Sequence, residues 1–406
     1  MRILHLCHRI PYPPDKGDKI RAFHQLRAMA TRHEVDVFTL ADDVGDLAHR
    51  EALAAYCRRL TVARVHPKLA RLRALPSLLT RTPLTVPYFY SAELAAEVRK
   101  ALAERSYDRI FVYCSAMAQY VEAACSIPMV LDLVDVDSDK WTQYAAHTRF
   151  PFSVIYRREG RTLQAFERNV CEKAACVLLS TEREARLARE IAPDARVHVL
   201  PNGVDTEYFQ PATQAAPETA VIFTGDMSYF PNEEAVVFFA RRVLPLIRRS
   251  VPGVRFLIVG RNPGPRVREL EKAGDVEVTG FVPDVRTWLA KARVAVAPFT
   301  IAAGIQNKIL EAMSCGLPVV ATSRAAQGLS RRVANVVDRG DTAEELASRV
   351  VVLLQDPDRA RLKGIDGRRL VMEDYSWDNA LRRLLELVED PVAEGFSRLK
   401  NQSSLA

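Results

Sequence analysis

Short apolar runs rich in β-branched residues alternate with longer amphipathic segments along the whole chain. This alternation is typical of parallel strands that are buried on both faces and joined by crossover helices. It therefore predicts an α/β fold made of doubly wound parallel sheets. We expect strands at residues 2–7, 34–40, 60–65, 108–114, 129–134, 176–180 and 196–200, and again at residues 220–224, 254–259, 276–279, 292–298, 318–321 and 332–337.

Two domains are expected, because 406 residues are more than one hydrophobic core usually serves. The segment PNGVDTEYFQPATQAAPET separates the two sets of strands and is rich in turn formers. We predict Rossmann-like domains at 1–200 and 218–375, a linker at 201–217, and a C-terminal helix with a polar tail at 376–406, with Ser376 as N-cap. Doubly wound sheets bind ligands beyond the carboxyl ends of their strands, so we expect the two sets of strand-end loops to face one cleft.

Composition argues against a membrane-spanning helix and against secretion. No stretch is long and apolar enough to cross a bilayer, and the start MRILHLCHRI is followed at once by Pro11 and a charged run. The seven cysteines lack C-x-x-C spacing and lie mostly in apolar runs, which predicts reduced thiols. We expect a cytoplasmic protein.

A basic window lies in the first domain, where no Asp or Glu occurs from Ala52 to Ala92. Its basic residues are Arg58, Arg59, Arg64, Lys68, Arg71, Arg73 and Arg81, and the leucines between Lys68 and Arg81 are Leu69, Leu72, Leu75, Leu78 and Leu79. Nucleic acid or an anionic membrane surface could bind such a patch. We predict that residues 58–81 dock on an anionic membrane and that the chain binds no nucleic acid; the alternative is a solvated helix whose leucines pack on its own sheet.

The segment VAVAPFTIAAGIQNKILEAMSCGLPVVATS, residues 294–323, reads as a strand, a loop of small residues and a helix. Small residues let backbone N–H groups approach an anion, and a helix N-terminus adds partial positive charge, so the segment predicts a diphosphate site. Lys308 would neutralise a phosphate, and Glu311 could accept two hydrogen bonds from a ribose diol. The alternative is an ordinary exposed i, i+3 ion pair between these two residues.

The run K-I-L-E-A-M-S-C-G-L-P-V-V from Lys308 to Val320 resembles the signature of glycosyltransferase family 4. PNGVD at 201–205, VGRNP at 259–263, DVEVTGFVPDV at 275–285 and ARVAVAPF at 292–299 follow in that family's order. PYPPDKGDKIRAFHQL and LDLVDVDSDKWTQYA further resemble the subgroup associated with exopolysaccharide loci and exosortase (PEP-CTERM) sorting systems.

The resemblance implies the GT-B fold and a retaining, metal-independent transfer of sugar from a nucleotide diphosphate sugar to a glycan or lipid-linked acceptor. It implies no cofactor. The second domain would bind the donor and the first domain the acceptor. An epimerase acting on a nucleotide sugar and a non-catalytic nucleotide-sugar-binding partner are the alternatives.

On the donor side, Glu311 matches the second Glu of the family's E-x7-E motif, and the first Glu falls on Ala303. Contacts to the donor sugar then fall to the backbone amides around Ala303, Gly304 and Ile305, or to Gln306 and Asn307. Gly225 matches a glycine beside which relatives carry an Arg and a Lys that clamp the diphosphate; Asp226 and Asn232 stand there instead. Neutralisation therefore rests on Lys308. Phe281 and Val282 are expected at the nucleobase, with core packing as the alternative for Phe281.

On the acceptor side, His8 emerges at the end of the first predicted strand, and Gly17 and Asp18 open the helix that follows. Asp18 could hold an acceptor hydroxyl or cap that helix. Asp135 lies in LDLVDVDS, where it could orient the acceptor or act as a base. Together with Asp132 and Asp137 it could instead form a D-x-D magnesium site, which we consider the weaker hypothesis.

Overall fold

The computed structural model describes residues 1–14, 17–121, 126–212, 218–301 and 304–390, apart from the side chains of Val44 and His147. The chain divides into two compact units. One unit comprises Met1–Leu200 together with the segment from Leu381, and the other comprises Pro201–Ala380. Each unit has its own parallel sheet covered by helices.

The first unit is built on seven parallel strands in the order β3-β2-β1-β4-β5-β6-β7. They are β1 Arg2–Cys7, β2 Glu34–Ala41, β3 Arg59–Arg64, β4 Arg109–Tyr113, β5 Met129–Val134, β6 Cys176–Leu179 and β7 Val197–Val199. The helices are α1 Gly17–Ala30, α2 Val44–Leu47, α3 Arg50–Ala54, α4 Pro67–Ala74, α5 Thr85–Tyr88, α6 Ala92–Glu104, α7 Asp137–His147, α8 Phe152–Lys173 and α9 Glu182–Ile191, with 3₁₀ turns at Leu75–Leu79 and Ser115–Tyr120. The central strands are buried on both faces, as their apolar sequences predict.

The second unit is built on six parallel strands in the order β10-β9-β8-β11-β12-β13. They are β8 Ala220–Thr224, β9 Arg255–Val259, β10 Val276–Gly280, β11 Val294–Ala297, β12 Val319–Ala321 and β13 Asp338–Arg339. The helices are α10 Phe230–Phe238, α11 Leu244–Ser250, α12 Pro265–Arg268, α13 Arg286–Leu289, α14 Asn307–Ser314, α15 Ser323–Ala326, α16 Arg331–Ala334, α17 Ala343–Gln355 and α18 Pro357–Tyr375, with a π-helical turn at Phe239–Val243 and a 3₁₀ turn at Glu269–Ala273. Helix α19 Trp377–Glu389 begins in the second unit, and its residues from Leu381 onward belong to the first.

The prediction of doubly wound α/β sheets is confirmed, and the strands lie at or within a few residues of the predicted runs. The strand predicted at 332–337 is wrong. Those residues begin in helix α16, because the Ser330 side chain accepts a hydrogen bond from the Val333 N–H and starts a helical turn. The last strand of the sheet is the short β13 instead.

Both sheets reverse their strand order at one point, between β1 and β4 in the first unit and between β8 and β11 in the second. At such a switch point the two following loops diverge and leave a crevice beyond the carboxyl ends of the strands. His8 directly follows β1, and Gly225 directly follows β8. The fold therefore places the predicted acceptor and donor residues, each in its own unit, where α/β sheets bind ligands.

A buried charge pair ties α1 to β5 in the first unit. The Arg21 guanidinium donates to both oxygens of Asp132 at 2.8 and 3.1 Å and to the Leu200 carbonyl at 2.8 Å. The Gln25 amide adds a third donor to the same carboxylate at 2.5 Å. Because Asp132 is fully buried and engaged by these donors, it cannot serve as the metal ligand of a D-x-D site.

Among the described residues, none of the helices has both the length and the apolar composition that a bilayer crossing requires.

Replacing Asp132 by Ala should lower the free energy of unfolding by about 3–5 kcal/mol, because Arg21 would remain buried without its counter-ion. Asp194→Ala, at an exposed position of the same unit, is the control and should change stability by less than about 0.5 kcal/mol. Urea unfolding followed by circular dichroism measures both. Equal unfolding midpoints for the two variants would contradict the structural role of Asp132.

Candidate functional site

Two glycines bring the loops after β8 and β9 into direct backbone contact. Gly225 has φ +157° and Gly260 has φ +144°, and a Cβ on Gly260 would overlap the Gly225 carbonyl. The Gly225 N–H donates to the Val259 carbonyl at 3.0 Å, and the Met227 N–H donates to the Arg261 carbonyl at 2.9 Å. The overlap requires glycine at position 260, and the positive φ favours glycine at the sequence-predicted Gly225.

Lys308 projects from the first turn of α14 toward this glycine turn. Its Cε lies 3.3 Å from where a Cβ on Gly225 would be. Its ammonium stands 4.7 Å from the ring centroid of Phe299 and 5.5 Å from that of Phe223, where ring quadrupoles attract a cation. Burial lowers the pKa of Lys308 to about 8, partly opposed by the charge of Glu311.

The alternative of an exposed Lys308–Glu311 ion pair is not what the structure contains. Within the described part of the chain Lys308 forms no ion pair, and both residues are partly buried. Burial raises the pKa of Glu311, and Lys308 partly offsets the effect. Lys308 is therefore a cation that lies over aromatic rings, and Glu311 is a separate carboxylate one turn further along the same helix.

Helix α14 is held at both ends by glycine contacts. Gly304 has φ +62°, and a Cβ on Gly328 would overlap its carbonyl. At the other end a Cβ on Gly364 would overlap the Gly316 carbonyl, and Arg368 donates to the Ser314 carbonyl. These contacts leave the helix little freedom to shift along or across the sheet.

The other predicted donor residues have different surroundings. Ile305 is buried in the core of its unit, so its side chain is not available to a ligand. The Asn307 amide oxygen accepts from Asn202 of the PNGVD segment at 3.4 Å. Ala303, which occupies the position of the first motif Glu, lies outside the described residues.

At the end of β10, Gly280 has φ +72° and is followed by Phe281, which is 73% exposed. The core-packing alternative for Phe281 is therefore wrong. Val282 is partly buried against the core. An exposed aromatic ring beside a glycine turn can stack on a flat ligand such as a base.

Asp226 and Arg261 form a cluster that the sequence analysis did not assign to binding. The Asp226 carboxylate accepts from the Ser228 N–H at 3.0 Å, the Ser228 hydroxyl at 2.7 Å and Arg261 Nε at 3.1 Å. Asn232 donates to the Asp226 carbonyl at 2.8 Å, and its buried Oδ1 has no hydrogen-bond partner within the described residues. The VGRNP motif carries Arg261 and is the signal that could have found it.

In the first unit, His8 and Asp18 come together as predicted candidates. His8 Nε2 lies 3.5 Å from Asp18, and Arg9 donates to Asp18 and to Asp42 at 3.0 Å each. The His8 ring stacks on Tyr113 at 5.6 Å. Asp18 therefore pairs with cations instead of capping α1, which begins at Gly17.

The electrostatics of this cluster favour the charged forms. Burial opposes protonation of His8, but the nearby Cys114 and Asp18 outweigh it and raise the His8 pKa to about 10. Burial likewise opposes ionisation of Asp18, but His8 and Arg9 hold its pKa well below the usual range. A protonated His8 can donate a hydrogen bond, but it cannot take a proton at neutral pH.

Asp135 follows β5 and accepts a hydrogen bond from the Ser180 hydroxyl at 2.7 Å. Burial raises its pKa. The preceding Val134 has φ +68°, and Cys114 at the end of neighbouring β4 has φ +71°, conformations that are costly for residues with a Cβ and that cluster at functional sites. Across the described residues no three His, Cys, Asp or Glu side chains converge on a possible metal position.

The basic window carries an exposed apolar face, formed by Leu69, Leu72, Leu75 and Leu79 of α4 and the following 3₁₀ turn. Leu79 is 93% exposed. Only Leu78 of the five predicted leucines is partly buried, so the alternative of leucines packed on the sheet does not hold for the other four. Exposed apolar faces of this kind mark interaction sites.

Three further apolar side chains, Phe150, Phe152 and Val154, are exposed near the start of α8, and Phe150 is 81% exposed. The same helix meets the leucine segment, since Arg158 donates to the Thr80 carbonyl at 2.6 Å and to the Thr82 carbonyl at 3.1 Å. Helix α8 therefore lies beside the end of the leucine segment.

The basic residues of the window divide into two groups. Arg58 and Arg59 form ion pairs with Glu34 and Glu97 on the β3 side, and Arg73 donates to main-chain carbonyls. Arg64, Lys68, Arg71 and Arg81 are exposed. The cations available beside the leucines are fewer than the seven predicted.

Each half of the chain matches a glycosyltransferase family. Residues 19–203 match the family described as "Glycosyl transferase 4-like domain", and residues 218–356 match the family described as "Glycosyl transferases group 1".

Curated relatives match part of the chain. A GDP-mannose-dependent alpha-(1-6)-phosphatidylinositol monomannoside mannosyltransferase of Mycolicibacterium smegmatis is 30% identical over 52% of this chain and 60% of its own length. A D-inositol 3-phosphate glycosyltransferase of Mycobacterium marinum is 29% identical over 61% of this chain and 58% of its own length. The matched region thus spans about three fifths of these relatives.

Solved structures match the fold over nearly the whole chain. Sucrose-phosphate synthase from Thermosynechococcus elongatus superposes with a TM-score of 0.72 at 19% identity, covering 97% of this chain and 99% of that one. Anabaena HepE in complex with UDP gives a TM-score of 0.68 at 17% identity, covering 96% of this chain and 100% of that one. The chain therefore carries two glycosyltransferase family matches, at residues 19–203 and 218–356, on a GT-B fold that extends over nearly its whole length.

Proposed function

We propose that the chain is a retaining, metal-independent glycosyltransferase that moves a sugar from a nucleotide diphosphate sugar to a glycan or lipid-linked acceptor. The observation that carries the proposal is Lys308, a partly buried cation beside the Gly225 turn with no acidic partner among the described residues. A diphosphate is the ligand that such a cation and a glycine turn would bind together. Glu311 would hold the ribose.

The relatives support this class of donor. One curated relative is named as GDP-mannose-dependent, and HepE has been solved with UDP and with UDP-glucose. The exopolysaccharide role rests on the resemblance of the segments PYPPDKGDKIRAFHQL and LDLVDVDSDKWTQYA to that subgroup. The names leave both uracil and guanine nucleotides as candidate donors.

In the proposed reaction the bond between the anomeric carbon and the diphosphate breaks while the acceptor hydroxyl arrives on the same face of the sugar. Negative charge grows on the leaving diphosphate, where Lys308 and the N-terminus of α14 would stabilise it. The leaving diphosphate would take the acceptor proton. Because His8 is already protonated, its proposed role is to orient the acceptor with Asp18, and Asp135 would orient the acceptor hydroxyl.

Lys308→Ala and Glu311→Ala should each keep the fold and lose most transfer activity. For Lys308 we expect a loss on the order of 2–4 kcal/mol, roughly 30- to 1,000-fold in rate, as for removal of one preorganised donor to a developing anion. A thermal-shift screen of UDP- and GDP-sugars first identifies the donor, and transfer is then assayed in the presence of EDTA. Lys272→Ala, at an 81% exposed side chain of the same unit, is the control.

Retained activity in both variants would remove the donor-site assignment. Loss of wild-type activity in EDTA, restored by Mg²⁺ or Mn²⁺, would contradict metal independence. Formation of an epimer from donor without acceptor would favour the epimerase alternative.

Binding of the nucleotide diphosphate should weaken with rising pH. Lys308 has a pKa of about 8 before binding, so it is charged below that pH and neutral above it. The dissociation constant should therefore be nearly constant from pH 7 to 8 and should then rise toward tenfold per pH unit. Titration calorimetry from pH 7 to 9 measures it, and Lys308→Arg, whose charge does not titrate, should remove the rise. The same slope in both proteins would contradict this origin.

We also propose that the leucine face docks the first unit on an anionic membrane, which would bring it to a lipid-linked acceptor. Lys68, Arg71 and Arg81 border the face and match the sign of an anionic surface. Each cation near such a surface contributes about 1 kcal/mol, and the exposed leucines and Phe150 add apolar contact. Both terms together predict reversible, salt-sensitive attachment.

Sedimentation with vesicles tests this docking. The protein should bind vesicles of phosphatidylcholine with phosphatidylglycerol at low salt, release at high salt, and bind pure phosphatidylcholine weakly. The double variant Leu72→Ser/Leu79→Ser should bind several-fold less. The matched control Leu362→Ser/Ile365→Ser removes exposed apolar side chains of α18 and should bind normally. Equal binding to neutral and anionic vesicles would remove the membrane role.

A further inference from the structure

We propose that Arg261 is a second diphosphate-binding cation of the donor site, and that Asp226 is the residue that positions it. The inference rests on the proposed function and deepens it. Neither residue was assigned to binding from the sequence, where Asp226 instead counted as a missing positive charge. In the structure the positive charge lies on the neighbouring loop after β9, at Arg261.

The backbone brings Arg261 to the glycine turn. The Arg261 carbonyl accepts the Met227 N–H at 2.9 Å, and Gly260, one residue earlier, packs directly on the Gly225 carbonyl. Lys308 reaches the same Gly225 from α14. Arg261 therefore comes from the loop after β9 and Lys308 from α14, and both adjoin one turn.

Asp226 holds the guanidinium in place. Its carboxylate accepts Arg261 Nε at 3.1 Å and the Asn262 amide at 3.2 Å. Hydrogen bonds from Ser228 and Asn262 and the charge of Arg261 outweigh burial and lower the pKa of Asp226, so it is ionised. The Arg261 side chain is 27% exposed, enough to reach a ligand.

The loop conformation also fixes Asn262 against Asp226. Asn262, directly after Arg261, has φ +57°, a left-handed conformation that asparagine adopts more readily than most residues. The hydrogen bonds of its side chain to Asp226 stabilise this conformation. A planar guanidinium held along one edge is well suited to phosphate oxygens, which it can bind with two parallel hydrogen bonds.

The competing explanation is that Arg261 only neutralises Asp226. In that case Arg261→Gln would weaken diphosphate binding through repulsion by the unpaired carboxylate, and removing that carboxylate would restore affinity. If Arg261 binds the diphosphate itself, removing the carboxylate cannot replace the lost cation. The double variant Asp226→Asn/Arg261→Gln separates the two cases.

Titration calorimetry provides the test, using UDP with UMP or GDP with GMP, whichever pair binds the wild-type protein more tightly. We expect Arg261→Gln to weaken diphosphate binding at least tenfold while changing monophosphate binding much less. The double variant should remain weak, and Arg261→Lys should be intermediate. Arg266→Gln is the matched control, because Arg266 lies nearby, is exposed and pairs with Glu233 and Glu234; its affinity should equal that of the wild type.

Recovery of affinity in the double variant, or wild-type affinity in Arg261→Gln, would overturn the inference. If affinity falls in Lys308→Ala but not in Arg261→Gln, this inference fails while the proposed donor site stands. If the wild-type protein binds neither UDP nor GDP, the donor site fails and Arg261 with it. Equal losses for the monophosphate and the diphosphate would also overturn it, since they would indicate a disturbed loop instead of a lost phosphate contact.

Discussion

Main-chain packing against α14 is the constraint on which the candidate donor site depends. Gly328 and Gly364 let neighbouring backbone lie directly on the carbonyls of Gly304 and Gly316, one at each end of the helix. Any side chain at Gly328 or Gly364 would push the helix away from its place beyond β11. Since Ile309 and Leu310 are buried in the core, the helix also cannot rotate about its own axis. Rotating Lys308 away from Gly225 would require expelling these core residues.

Charge balance distinguishes structural cations from the candidate binding cation. In the first unit, Lys19 is buried against Asp46 at 2.6 Å, and Arg21 is buried against Asp132. Each has its counter-ion in the fold and gains nothing from an external anion. Lys308 lies over aromatic rings and forms no ion pair with any described residue, and burial lowers its pKa, partly opposed by the charge of Glu311. An arriving diphosphate would provide a directly paired counter-ion, which is why a lysine so placed indicates a ligand.

Much of the fold could be predicted from the sequence, because buried parallel strands have continuous apolar sequences bounded by turn formers. The strand predicted at 332–337 was wrong because the valines of this segment are spaced as in a helix and Ser330 caps a turn. Gly225 was also predicted, since a motif glycine marks close backbone approach, whereas Gly328 and Gly364 lie outside the motifs and were not. The pairing of side chains could not be predicted. Arg9 and Asp42 are 33 residues apart, and nothing local in the sequence indicates that Arg9 and His8 both pair with Asp18.

The same limit explains why the sequence did not indicate a binding role for Arg261. Sequence comparison places Asp226 where positive charge is expected, but it cannot say that a cation from the loop after β9 lies against it. The exposed leucines raise a related difficulty, because a leucine pattern on a short helix does not distinguish a face packed on the sheet from one left open. In both cases the decisive fact is the spatial neighbour, which sequence spacing does not contain.

In the first unit the buried Arg21–Asp132 pair also sets the geometry of the strand end. Asp132 accepts the Val134 N–H at 3.0 Å, and the Val134 carbonyl accepts the Ser180 N–H at 2.7 Å. These bonds hold Val134 at its positive φ, which costs a β-branched residue on the order of 1–3 kcal/mol, and the β5–β6 register shifts at the same point. The next residue, Asp135, is thereby turned out of the strand direction and onto the Ser180 hydroxyl. Asp132, which the sequence suggests as a metal ligand, is thus better understood as the residue that orients Asp135.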